Sequence, residues 1–333
     1  MSRSQQRSDP ALGESVGPES RAQFVADLRA RFPGKSIRIL RSTGSGRHLV
    51  AEVGEAWFAK AAIDPAMTIE AEARSLYAAR GYAEPTNESE LRVPGLIHPS
   101  RPSAVSWMMT TRVRGKPARA WAHAHIARVG RSLASLHSVR LTSKLRPLPG
   151  GSTLPSALRE ADVALDRLKA DQVITSKTHA VGVRALRRAR AQALTDDDES
   201  PRVLCHGDVR GPNVLFDEAT TGLVDFEHSG RGDAALDLAR TAAYQRLSRH
   251  ETFLLLDTYA EATSDDSAVD RAISILASVR LGLALQAVRH LQAALSGRVI
   301  QRDLRASERV AKLEARLGEL LELEVKLSLG IPA

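Results

Sequence analysis

The sequence predicts an α+β protein of two lobes: a small N-terminal lobe with an antiparallel sheet and one helix, and a larger, mainly helical C-terminal lobe. Three observations carry this expectation. At 333 residues the chain is too long for one ordinary hydrophobic core, and its 43% hydrophobic content is enough to fill two. Strand-like runs gather between residues 37 and 111, interrupted by one helical segment. Beyond residue 123 the spacing of apolar residues is mostly helical, apart from short strands that bracket a polar block at 206–233. The expected boundaries are a tail at 1–22, a first lobe at 23–111 and a second at 112–333.

In chain order, Met1 to Arg21 holds Ser, Gln, Pro, Gly and mixed charges without an apolar run, which excludes a secretory signal and reads as a disordered tail. Ile37 to Arg41 and Leu49 to Val53 read as strands joined by a glycine-containing turn, Ser42-Thr43-Gly44-Ser45-Gly46-Arg47. Ala56 to Ala61 is a third strand, with Lys60 set among apolar residues, where a lysine is costly to bury unpaired. Met67 to Arg80 reads as a helix with Ile69, Ala73, Leu76 and Tyr77 on one face, and Glu70 and Glu72 are the rival partners for Lys60. Arg92 to Ile97 reads as a Val-Pro strand, and Val105 to Thr111 as a buried strand running into a linker through Val113.

The helix marked by Ile126, Val129, Leu133 and Leu136 has core spacing and ends at His137, read as a packed or capping histidine. His123 and His125 ahead of it read as a polar loop. Two further helices and an acidic loop, Asp196 to Glu199, fill residues 151–200. Helices are expected at Ala234 to Arg249, Phe253 to Ala262, Val269 to Leu295 and Leu304 to Leu327. Cys205 ends an apolar strand and reads as a small buried hydrophobe; one cysteine excludes an internal disulfide and suits a cytoplasmic protein.

Residues 206–213 read His-Gly-Asp-Val-Arg-Gly-Pro-Asn, and Asp225-Phe226-Glu227 follows an apolar strand twelve residues after the Asn. Phosphoryl transfer needs a carboxylate to align the nucleophilic hydroxyl and oxygen ligands that hold Mg²⁺ against nucleotide phosphates. Asp208 fits the first task, and Asn213 and Asp225 fit the second. Their spacing matches the His-Arg-Asp-x-x-x-x-Asn and Asp-Phe-Gly elements of protein kinases.

Gly207, the run Asp225 to Asp233 and the trailing Asp237-Leu238-Ala239 resemble the aminoglycoside phosphotransferase family, to which choline kinases are close. The resemblance implies a two-lobed protein-kinase-like fold and an ATP- and Mg²⁺-dependent transfer to a hydroxyl of a small molecule, with an antibiotic or another secondary metabolite as the leading acceptor. It implies that Lys60, paired with Glu72, holds the nucleotide's phosphates. Ser45 would lie in the turn above those phosphates, and the backbone of Thr111 and Val113 would meet the adenine. His206 is expected to orient the loop, and Asp237 to accept hydrogen bonds from its backbone. Arg210 is either a phosphate-gripping guanidinium, a reader of an acceptor anion or a surface residue. The choice of ATP over GTP and the oligomeric state stay open.

A net charge of +8 and a pI near 10.0 raise the question of nucleic acid or membrane partners. Residues 206–263, however, hold ten acidic residues against five arginines, and the basic stretch from Arg119 to Arg146 reads as the solvated face of a helix. No aromatic-basic platform, zinc spacing or membrane-length apolar run is present, so neither partner is expected. For a cationic acceptor, Glu227, Asp257 and Glu261 are the candidate contacts. A protein kinase would carry Ala-Pro-Glu after a long segment, yet eleven residues separate Asp225 from Asp237. A non-catalytic module would have lost the base or a metal ligand, and all three are present.

Overall fold

A computed structural model describes residues 18–40, 48–62, 69–80, 91–98, 106–118, 120–149, 175–193 and 202–273, with a few helical positions between 159 and 170 and between 275 and 280. Five strands form the first sheet: β1 (Ile37–Leu40), β2 (His48–Val53), β3 (Trp57–Ala62), β5 (Leu96–His98) and β6 (Trp107–Thr111). Their order is β1-β2-β3-β6-β5, antiparallel throughout. Alternation along β2 and β3 sends Leu49, Ala51, Val53, Ala59 and Ala61 to one face. Helix α1 (Pro18–Arg31) covers that face with fully buried Phe24 and Leu28. Its start lies inside the segment that composition assigns to a tail: two apolar side chains one turn apart suffice because they land on a ready-made sheet. Residues 1–17 fall outside the described residues, as do the 42–47 turn with Ser45, the acidic stretch 196–199 and residues 304–327.

Lys60, between Ala59 and Ala61, points to the opposite face, where α2 (Ile69–Arg80) packs with Ile69, Ala73 and Leu76 buried. Tyr77, expected on the buried face of α2, is exposed. The segment read as one Val-Pro strand is two: β4 (Leu91–Arg92) pairs in parallel with β10 (Thr221–Leu223), and β5 pairs with β6. Pro94 separates them, having no N–H for either ladder.

The second sheet runs β4-β10-β9-β7, with β7 at Lys116–Pro117 and β9 at Val214–Phe216, and β8 (Arg202–Cys205) pairs with β11 (Gly230–Asp233). Around them lie α3 (His123–His137), α4 (Ser176–Ala193), α5 (Ala234–Tyr244) and α6 (Arg249–Thr263). Helix α3 begins at His123, so His123 and His125 belong to its first turn rather than to a loop. The His125 ring stacks 4.1 Å from that of Phe216 and its Nδ1 accepts the Ala122 amide. Ile126, Val129, Leu133 and Leu136 are buried. Gly130 lets α3 approach α6 closely: a methyl there would lie 2.8 Å from the Leu255 carbonyl oxygen.

The helix expected through Arg249 stops at Tyr244. Arg246 takes a left-handed φ of 53°, and Ser248 then caps α6 in a reciprocal bond with Glu251. A further helical stretch begins at residue 266, ahead of the expected Val269. Among the described residues, no helix is long and apolar enough to cross a membrane.

Candidate active site

Strand β8 delivers the loop at 206–213, and buried side chains fix it from behind. Asp237, fully buried on α5, accepts the His206 amide at 2.7 Å and the Gly207 amide at 2.8 Å. Its remaining partner is His137 Nε2 at 3.2 Å, whose Nδ1 in turn meets the Tyr259 hydroxyl at 3.0 Å. Burial alone would push the Asp237 carboxyl up, but the bonds from His137 and the loop amides hold it below the usual carboxylate range. Asp233 caps the helix that carries Asp237, accepting the Ala235 amide at 2.9 Å, and is clamped by Arg271. The Gly-Asp and Asp-Leu-Ala elements of the sequence are therefore the frame of the loop.

His206 is buried, with Nε2 at 3.0 Å from the Val224 carbonyl oxygen and Nδ1 accepting the Asp208 amide at 3.3 Å. Those two bonds define a neutral ring protonated on Nε2, and burial lowers its pKa in the same sense. Its place is that of an orienting group linking the loop to Val224, which joins β10 to Asp225.

Gly207 between them has φ +80°, and an added methyl would collide with the His228 carbonyl. Gly207→Ala is expected to lower activity at least about tenfold and destabilise by about 1–3 kcal/mol, since a β-carbon must both adopt a strained backbone and displace a neighbour. Paired thermal-melt and activity measurements check this.

The Asp208 carboxylate is nearly buried and is held by Asn213 Nδ2 at 2.8 Å, with Arg210 Nε 3.0 Å away. Burial raises its pKa against the opposing pull of Arg210. A 3-10 turn at Gly211–Asn213 presents Asn213, whose amide nitrogen also donates to the Asp208 carbonyl at 3.0 Å. With both donor bonds directed at Asp208, the amide oxygen of Asn213 is the atom left for a cation. The Asn213 carbonyl accepts the Val224 amide at 3.0 Å, which fixes its distance from the next residue, Asp225. Asp225 has φ 67°, an uncommon conformation for a residue with a side chain, and such departures gather where a group must be aimed.

Three carboxylates from two lobes meet Lys60 Nζ: Asp225 at 2.6 Å, Glu227 at 3.0 Å and Glu72 at 2.9 Å. Glu72 Oε2 makes a charge contact with Lys60 and no hydrogen bond. Glu70, the rival, pairs instead with Arg74 in solvent. Burial would depress the Lys60 pKa, but the surrounding carboxylates outweigh it and the ammonium stays charged. Glu72 is pushed up by the same burial, opposed by Lys60.

Glu227 is also bound by His48 Nδ1 at 3.1 Å and by His228 Nε2 at 3.3 Å, which together with Lys60 hold its carboxyl low. Glu227 thus belongs to the Lys60 cluster. Asp257 and Glu261 stand on the exposed face of α6, and among the described residues no ion pair or hydrogen bond joins them to the Asp208 cluster. One lysine among three carboxylates leaves excess negative charge, and with the oxygens of Asp225 and Asn213 this suits a hard divalent cation such as Mg²⁺.

The Thr111 amide and hydroxyl are both engaged with Gly95, and Val113 lies beside Gly222 of β10. Sequence reasoning missed His48 and His228, and it misread Arg146. From the stretch read as a solvated face, Arg146 donates to the carbonyls of Glu227 and Ser229, and Arg128 likewise secures the β9–β10 turn at Asp217 and Thr220. No local signal marks His48, Arg128 or Arg146, because each finds its partner at least 80 positions away along the chain, whereas His228 meets the adjacent Glu227.

The chain matches the model of the phosphotransferase enzyme family over residues 39–273. No curated protein matches it. Among solved structures it is similar to a choline/ethanolamine kinase family protein from Mesorhizobium loti, at 19% identity and TM-score 0.62 over 91% of this chain and 95% of that one. It is also similar to the ADP-bound aminoglycoside phosphotransferase APH(2'')-Ib, at 14% identity and TM-score 0.57 over 92% and 98%. A third similar structure is the macrolide 2'-phosphotransferase MphH from Brachybacterium faecium, at 19% identity and TM-score 0.55 over 84% and 97%. A loop framed by Asp237, a lysine answered from the facing lobe and a family match across 39–273 agree: this chain belongs to the phosphotransferase enzyme family.

Proposed function

We propose that the protein transfers the γ-phosphoryl group of ATP, with Mg²⁺, to a hydroxyl of a small molecule, an antibiotic or a related secondary metabolite being the leading acceptor class. The observation that carries this is the convergence of Asp208, Asn213 and Asp225, from the loop after β8 and the segment after β10, with Lys60 of β3 in the other lobe. Asn213 and Asp225 would hold the metal, which supplies charge neutralisation to the phosphates. Lys60 Nζ is the donor available to phosphate oxygens, with Glu72 behind it keeping the ammonium in place. Asp208 receives the acceptor hydroxyl and aligns it. Because the transition state is loose, little proton removal is needed before the bond to the leaving group breaks.

The antibiotic class is supported by the names of similar structures, which include aminoglycoside and macrolide phosphotransferases. A coupled ADP-release assay across aminoglycoside, macrolide, peptide and nucleoside antibiotics, amino-alcohols and hydroxy acids tests the reading; release with none of them, and none without an acceptor, would sink it. Asp225→Asn is expected to weaken Mg²⁺-dependent ATP binding by at least about tenfold, since one unit of charge leaves the metal site. An unchanged Mg²⁺ dependence in ATP titrations removes Asp225 from that role.

A further inference from the structure

We infer that the acceptor carries a carboxylate beside the hydroxyl that is phosphorylated, and that the terminal nitrogens of Arg210 bind it. The inference rests on the phosphotransferase reading above and names its substrate class. Arg210 Nε lies 3.0 Å from each oxygen of the Asp208 carboxylate, so the guanidinium is anchored by one edge to the proposed base. Its other edge faces outward: the Arg210 side chain is 51% exposed, against 6% for Asp208. Among the described residues, neither terminal nitrogen of Arg210 meets a protein acceptor. A planar pair of unused N–H donors, held rigidly beside the point where the hydroxyl must dock, matches a carboxylate in two parallel bonds.

The nucleotide's phosphates have a separate cation. Lys60 sits with Glu72, Asp225 and Glu227, and none of its contacts is with Asp208. The fork of Arg210 therefore stands apart from the Lys60 cluster, beside Asp208, and projects toward solvent. A polycation would be repelled by that fork, and among the described residues none of the three carboxylates expected to receive one contacts Arg210. Glu227 is taken up by Lys60, His48 and His228, and Asp257 and Glu261 stand on the outer face of α6. Fixed unlike charge near the reacting group selects a partner mainly by rejecting those of the wrong sign.

The test uses the full chain with ATP and Mg²⁺ and matched acceptors, glycerate with glyceramide and lactate with lactamide, beside aminoglycosides and amino-alcohols. The hydroxy acids are expected to show a KM at least about tenfold below that of their amides, because the neutral analogue leaves the guanidinium unanswered. In Arg210→Ala the acid-to-amide preference is expected to collapse toward one, and in Arg210→Lys to return in part. Equal thermal melts establish that the variants are folded. A loss of kcat shared equally by acid and amide at unchanged KM places the fork on the γ-phosphate instead and overturns the inference. So does preferential use of aminoglycosides or amino-alcohols, or failure to use either hydroxy acid while ATP and Mg²⁺ still bind. Failure to bind ATP at all overturns the phosphotransferase reading rather than this one.

Discussion

Asp208→Ala is expected to lower turnover by at least about a hundredfold while ATP binding in the presence of Mg²⁺ stays close to that of the parent chain. The separation follows from how Asn213 is held. Its amide nitrogen donates to both the side chain and the backbone carbonyl of Asp208, and the second bond survives the substitution. The oxygens of Asn213 and Asp225 therefore keep their places. Stability should not suffer either. Burial raises the Asp208 pKa, so the folded state favours the protonated form; that contribution is present only at low pH and is lost as pH rises through the folded value. At neutral pH the ionised carboxylate is thus a cost that alanine removes. For the parent enzyme, the same upward shift moves the acid limb of the kcat/KM profile above the ordinary carboxylate range. Single-turnover rates, ATP titrations and melts on one preparation check all three points, and retained turnover would remove Asp208 from the aligning role.

Asp237→Ala is the substitution with the largest expected effect on stability, about 3–5 kcal/mol. It leaves the His206 and Gly207 amides and His137 Nε2 without their buried acceptor at once. For a chain of this size that corresponds to a fall in Tm on the order of 10 °C. Asp237→Asn keeps one oxygen acceptor and should lose less. The Asp237 pKa lies below its ordinary value, so its contribution is complete above the unfolded pKa of about 4 and disappears as pH falls through the lower folded value. The gap in Tm between parent and Asn variant should therefore be level from neutral to mildly acidic pH and close only in strong acid. A gap that closes already near pH 6 would show that the Asp237 carboxylate does not govern the network.

The catalytic loop was legible because its chemistry is local: Asp208, Asn213 and Asp225 sit at fixed spacings along one stretch of chain. Lys60 was legible for a related reason, since strand alternation sends the one polar residue of β3 away from Ala59 and Ala61. Choosing Glu72 over Glu70 needed the phase of α2 against the sheet, which side-chain spacing alone does not supply. Glu227 was misread because its neighbours Lys60 and His48 come from another lobe, and a carboxylate near a catalytic motif looks the same whether it faces nucleotide or acceptor. Helix α1 was missed because Phe24 and Leu28 make too thin a stripe to stand out from a polar segment.

The parallel pairing of β4 with β10 has a consequence for how the two halves can be taken apart. The chain crosses between the sheets three times, entering the second at Leu91, returning to the first at Leu96 and leaving again after Thr111. A polypeptide divided at residue 111 would hand the second half a sheet with an unfilled edge beside β10, an open row of backbone donors and acceptors. The halves are thus interlaced like a dovetail: a cut ahead of Leu91 keeps β4 with the sheet it completes but strips β6 and β5 from β3, so no single cut between residues 91 and 111 leaves both sheets whole.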